Sequence, residues 1–102
     1  MKHLTQEDFK TTIQSEKPVL VDFWAPWCGP CQMMGPVFES VSKEFEGIDF
    51  AKVNVDVHQE IAGSVGIRGI PALVLFKDGK EVDRITGFLP EEQLKARIAF
   101  MV

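Results

Sequence analysis

Hydrophobic and polar positions along the chain switch between helical and strand-like spacing, and the order of those switches predicts the fold class. Phe9 and Ile13 lie four apart behind Thr5 and Asp8, a pair with capping-box separation, so a first helix is predicted over about Gln6 to Ser15. Pro18 opens Val19 to Ala25, a run that is apolar on both faces except at Asp22, as in a central strand covered on both sides. Val37, Phe38, Val41 and Phe45 recur at helical spacing, with Gly47 as the expected stop. Pro36 predicts a kink there, because it cannot donate to the carbonyl of Gln32. Phe50 to Val55 is strand-like, and Asp56 with Gln59 again has capping-box form, which predicts a short helix to about Val65.

The loop Gly66 to Pro71 leads into Leu73 to Phe76, and Asp78-Gly79 separates that run from Val82 to Thr86, a strong hairpin signal. A last helix is expected from Pro90, at its first position, to about Phe100, with Leu94, Ile98 and Met101 inside. Helix, strand, helix, strand, helix, strand, strand, helix describes an α/β domain whose sheet ends in an antiparallel hairpin.

Size and charge narrow the function. One domain of 102 residues accommodates a modest core, and no repeat or Gly/Ser-rich linker divides it. A net charge of −4 leaves no basic surplus for phosphates, so nucleic acid is not an expected partner. No apolar run reaches membrane-spanning length and Met1 to Lys10 is polar, which makes a cytoplasmic location the expectation. His3 and His58 have no ligand spacing and are expected at the surface, so no metal is predicted.

The chemistry-bearing feature is Cys28-Gly29-Pro30-Cys31, placed where the central strand gives way to the long helix. Unpaired N–H groups and the helix dipole stabilise a thiolate at a helix start, which makes Cys28 the predicted nucleophile. A spacing of three puts Cys31 one turn on, within disulfide reach, so it can resolve a mixed disulfide. Two other readings stand beside this one. A structural staple across four residues contributes only about 2 kcal/mol on the chain-entropy formula, against roughly 3 for fifteen residues. Half a zinc site shared across a dimer has no His or further Cys nearby to support it.

The string Val21 to Cys31, with Trp27 before Cys28, resembles the active-site segment of the thioredoxin family. Ala51 to Asp56, Gly66 to Pro71, Phe76 to Gly79 and Gly87 resemble that family's segments in the same order and spacing, so the likeness covers nearly the whole of residues 1–102 as one thioredoxin domain. It implies a mixed central sheet of about four or five strands flanked by about four helices. It implies reduction of disulfides in other proteins, with re-reduction by a thioredoxin reductase that carries the NADPH and flavin. This chain lacks a dinucleotide-binding signature and is expected to have no cofactor of its own, and the family implies a monomer.

Asp22 is singled out by pattern alone, since an acid in an apolar strand is costly to bury and should have a raised pKa. The resemblance makes it the carboxylate that shuttles the proton of Cys31, with Lys52 as charged neighbour; a structural ion pair is the alternative. It also implies a cis bond before Pro71, where an ordinary loop proline would be trans, leaving the Ile70 backbone to pair with extended substrate. Trp27, Gly29, Pro30, Gly69, Ile70 and Gly87 would surround the cysteines, with Trp27 partly exposed and Trp24 packed. Met33 and Met34 suit either a binding face or gap-filling.

The chain departs from the commonest family pattern at Gln32 (often Lys or Arg), Ala72 (often Thr) and Leu89 (a weak N-cap), and Met1 to Leu4 leaves only a stub of a first strand. A disulfide oxidase or isomerase is the rival within the enzyme class, disfavoured by Gly-Pro between the cysteines. A thiol-independent binding subunit and a metal-binding module are the rivals outside it.

Overall fold

The computed structural model describes residues 1–102. Its elements are β1 (Lys2–His3), α1 (Gln6–Ile13), β2 (Val19–Trp24), α2 (Gly29–Ser42), β3 (Asp49–Asn54), α3 (Gln59–Val65), β4 (Ala72–Lys77), β5 (Lys80–Thr86) and α4 (Glu91–Met101). The sheet runs β1-β3-β2-β4-β5, parallel among β1, β3 and β2 and antiparallel from β2 through β4 to β5. A mixed five-stranded sheet with four helices is the α/β fold expected, with β1 as the two-residue stub.

β2 lies in the middle of the sheet, between β3 and β4, and is buried on both faces. Val19, Val21 and Phe23 face a core shared with Phe9 and Ile13 of α1 and Ile61 of α3. Leu20 faces the other core, with Met34, Phe38 and Val41 of α2 and Leu94 and Ile98 of α4. Alternation along β2 thus feeds two helical layers, and Asp22 falls on the α2 side of the sheet.

Local chemistry sets most element ends. Thr5 and Asp8 form the reciprocal capping box at the start of α1. At its other end, the N–H groups of Asp78 and Gly79 donate to the carbonyls of Ser15 and Ile13, so the β4–β5 turn closes the helix. Asp78 (φ 54°) and Gly79 (φ 80°) form that two-residue turn, and a Cβ on Gly79 would also lie 2.9 Å from the Gln14 side chain.

Three boundaries differ from expectation. α2 ends at Ser42, ahead of Gly47, because Lys43 and Glu44 turn back onto the carbonyls of Ser40 and Val41. Phe45 lies beyond the helix yet still packs on the α2–α4 core, and Pro36 is carried inside an α2 that continues past it. Asp56 does not cap α3, which starts later, at Gln59; His58 is the N-cap residue, without a side-chain bond, and the Asp56 carboxylate instead accepts from Trp27. Pro90, not Leu89, is the N-cap of α4 and precedes the first helical residue; it supplies only its carbonyl, to the Leu94 N–H.

Phe38 is fully buried between α2 and the sheet, whereas Phe100 on α4 is 87% exposed. Phe38→Ala is therefore expected to lower unfolding free energy by about 3–5 kcal/mol, and Phe100→Ala to stay within about 0.5 kcal/mol of wild type. Urea denaturation of both variants checks this contrast, which equal effects would contradict.

Candidate active site

The end of β2 and the start of α2 meet at Cys28. Its backbone is extended (φ −87°, ψ 110°), which makes it the N-cap of α2, and its Sγ accepts from the Cys31 N–H at 3.2 Å. That N–H is one of the donors every helix start leaves without a helical partner. Pro30 in the first turn fits a helix start without needing a partner for its missing N–H. Cys28 and Cys31 are joined as a disulfide with a Cα–Cα separation of 5.2 Å. Both are largely covered, at 5% and 4% exposure, so what distinguishes Cys28 is its place at the helix end and not greater exposure.

Trp27 lies beside them and is 70% exposed. Its indole N–H donates to Asp56 Oδ2 at 2.8 Å, which ties the residue before Cys28 to the segment that follows β3. Gln32 Nε2 donates to the Pro26 carbonyl at 2.9 Å, so the residue following Cys31 holds the loop that precedes Cys28. Neither contact is legible in the sequence, where Asp56 reads as a helix cap and Gln32 only as a missing positive charge.

The Ile70–Pro71 peptide is cis, and the Ile70 carbonyl oxygen lies 3.8 Å from Cys28 Sγ. No group in the chain accepts from the Ile70 N–H. Trp27, Gly69 and Ile70, with Val55, Ile67 and Arg68, line an open groove of about 370 Å³. Gly87 is not part of that groove; its N–H donates to the Pro71 carbonyl at 2.8 Å and so braces the loop from β5. Of the two methionines, Met34 is buried in the core and Met33 is exposed. Trp24 is half-buried, and its indole N–H is buried without a partner.

Asp22 is wholly buried, and neither of its carboxylate oxygens accepts a hydrogen bond. Lys52, its neighbour across the β2–β3 ladder, approaches to 4.0 Å. The ammonium also lies 5.2 Å from the centre of the Trp24 ring and reaches beneath α2, 3.6 Å from where a Cβ on Gly35 would stand. Burial pushes the Asp22 pKa from 3.8 up to about 7, with Lys52 pulling the other way. No group of three or more His, Cys, Asp or Glu side chains comes together where it could hold a metal ion.

A family model described as thioredoxin matches residues 1–100. The chain belongs to the thioredoxin family. Thioredoxin of Alicyclobacillus acidocaldarius is 48% identical over 97 residues, covering 94% of this chain and 92% of the relative. Thioredoxin of Chlorobaculum thiosulfatiphilum is 49% identical over 96 residues, covering 92% and 89%. The crystal structure of Malassezia sympodialis thioredoxin (Mala s 13), described as a member of a pan-allergen family, superposes with a TM-score of 0.89 at 39% identity, over 98% of this chain and 91% of that one. With its cysteines at disulfide distance, this member of the family is a protein-disulfide oxidoreductase that works by dithiol–disulfide exchange through Cys28 and Cys31.

The raised pKa of Asp22 has a signature in stability. From about pH 4 to about pH 7 the folded oxidised protein keeps a proton that the unfolded chain has released, so stability falls as pH rises through that window, by about 4 kcal/mol in all. Asp22→Asn should remove that slope and leave the variant more stable than wild type above pH 7. Urea midpoints across the window check it; equal slopes in the two proteins would show that Asp22 ionises normally.

Proposed function

We propose that this protein is a general reductant of disulfides in other proteins, and that its reduced form is regenerated by an NADPH-dependent flavoprotein reductase. The observation that carries the proposal is the Cys31 N–H aimed at Cys28 Sγ from the start of α2, since it favours the thiolate and hence attack by Cys28. Thiolate Cys28 attacks a substrate disulfide, one substrate sulfur leaves as thiolate, and a mixed disulfide forms. Cys31, once deprotonated, attacks Cys28 Sγ; the second substrate sulfur leaves, and Cys28 and Cys31 are oxidised together to the disulfide. The substrate gains two electrons, and the chain loses them.

Asp22 is assigned as the group that accepts the Cys31 proton, because a carboxyl with a pKa of about 7 can both hold and release a proton near neutrality. Lys52 limits how far that pKa rises. Substrate lies in the groove beside Trp27, on the Gly29-Pro30 turn and against Gly69, with the Ile70 N–H and carbonyl pairing to an extended segment next to Pro71. Gly87 supports Pro71. Backbone pairing of this kind reads shape and not side chains, which suits broad specificity.

Residues 1–102 act as one unit in this reading, as a monomer with no resident cofactor or metal. A reducing compartment, the cytoplasm, is the location in which a disulfide reductase can be kept in its working form.

Insulin disulfide reduction with dithiothreitol as electron source tests the proposal. Wild type should accelerate it, and Cys28→Ser should fall to the uncatalysed rate. Equal rates for the two proteins would refute a nucleophilic Cys28.

A further inference from the structure

The loop from Gly66 to Pro71, which carries the proposed substrate-pairing residue Ile70, has no regular structure of its own, so something must hold it at both ends. Its Pro71 end is held by the Gly87 N–H of the segment after β5. Its Gly66 end follows the last turn of α3, where Gly66 adopts the left-handed conformation (φ 73°) and the Ile67 N–H returns to the Ala62 carbonyl. Two further carbonyls at that helix end accept from one side chain: Arg84 Nη2 donates to the Val65 carbonyl at 2.7 Å, and Arg84 Nη1 to the Gly66 carbonyl at 3.2 Å.

Arg84 is itself fixed. Its Nε and Nη2 donate to the two carboxylate oxygens of Glu81 at 2.8 and 2.7 Å, a two-point pairing that orients the guanidinium plane. Residues three apart on a regular strand point to opposite faces. Here the register shifts, with Phe76 opposite Glu81 but Leu75 opposite Asp83, so Val82 is an extra residue. Glu81 and Arg84 consequently lie opposite Phe76 and Val74, both of which face the α1–α3 core.

We propose that Arg84, oriented by Glu81, is a positioning residue for disulfide-protein binding: it pins the end of α3 and thereby fixes the Gly66–Pro71 loop in the shape that pairs with substrate. The proposal rests on the reading that substrate pairs with Ile70. Arg84 does not touch the cysteines; it acts through the loop, removing freedom that would otherwise be lost when a protein substrate binds. Its loss is therefore felt in recognition of an extended protein segment and not in the reactivity of Cys28.

The test measures kcat and KM for insulin, with saturating dithiothreitol, alongside the rate with dithiobis(nitrobenzoic acid), a disulfide too small to span the loop. Arg84→Leu should raise the KM for insulin about three- to tenfold, with kcat and the small-disulfide rate within about twofold of wild type. Glu81→Gln, which leaves the guanidinium but loosens its orientation, should raise KM in the same direction by less, and it decides the matter if Arg84→Leu does not fold. Unchanged KM in a folded variant, or a parallel fall in the small-disulfide rate, overturns the positioning role alone. A wild type that reduces the small disulfide but not insulin overturns the proposed function and this role with it.

Discussion

A helix cannot satisfy its own first N–H groups, and in this protein the Cys31 N–H, one of that orphan set, is directed at the sulfur of Cys28. Everything nearby serves to put that sulfur at that helix end. β2 is buried on both faces and so is fixed in position; it ends at Trp24, and only four residues separate it from α2. α2 is held in turn by Met34, Phe38 and Val41 in the core beneath it. Cys28 thus sits on a junction between a strand buried on both faces and a helix anchored in the core. Its electrostatic environment is supplied by backbone groups that cannot rearrange without unpacking the core.

Asp22 is costly to stability in the same region. A leucine there would match the rest of β2, yet the position holds an acid with no hydrogen-bond partner and a lysine 4.0 Å away. Such a pair is weaker in stability terms than apolar packing, because desolvation of the carboxylate is only partly offset by the ammonium. Gly35 belongs to the same arrangement, since a side chain there would meet the Lys52 ammonium under α2. The acid–base role proposed for Asp22 and the stability of the fold pull in opposite directions at this one strand position.

Fold class and reactive pair were both legible in the sequence, since Val19 to Trp24 is apolar on two faces and Cys28 falls at the change from strand to helical spacing. Asp22 was legible for the complementary reason, as the one polar residue in that run. What could not be read were contacts between segments distant in sequence. Asp56 has capping-box spacing, but the Trp27 indole, 29 residues earlier, claims its carboxylate. Gly47 looks like a helix stop, but the chain had already turned at Lys43 to bring Asp49 beside Pro18. Glu81 and Arg84, three apart, read as residues on opposite faces of a strand until the bulge at Val82 puts them together. Local pattern fixes where elements are, and tertiary demand decides what their polar side chains do.

The reactivity proposed for Cys28 depends on the start of α2 stabilising negative charge on its sulfur. Thiolate absorbance of a Cys31→Ser protein, titrated from acid to alkaline pH, isolates that one sulfur and reads its ionisation directly. A midpoint well below the ~8.5 of a free thiol is predicted. A midpoint at or above that value would mean that covering the sulfur outweighs the helix end, and would contradict the account.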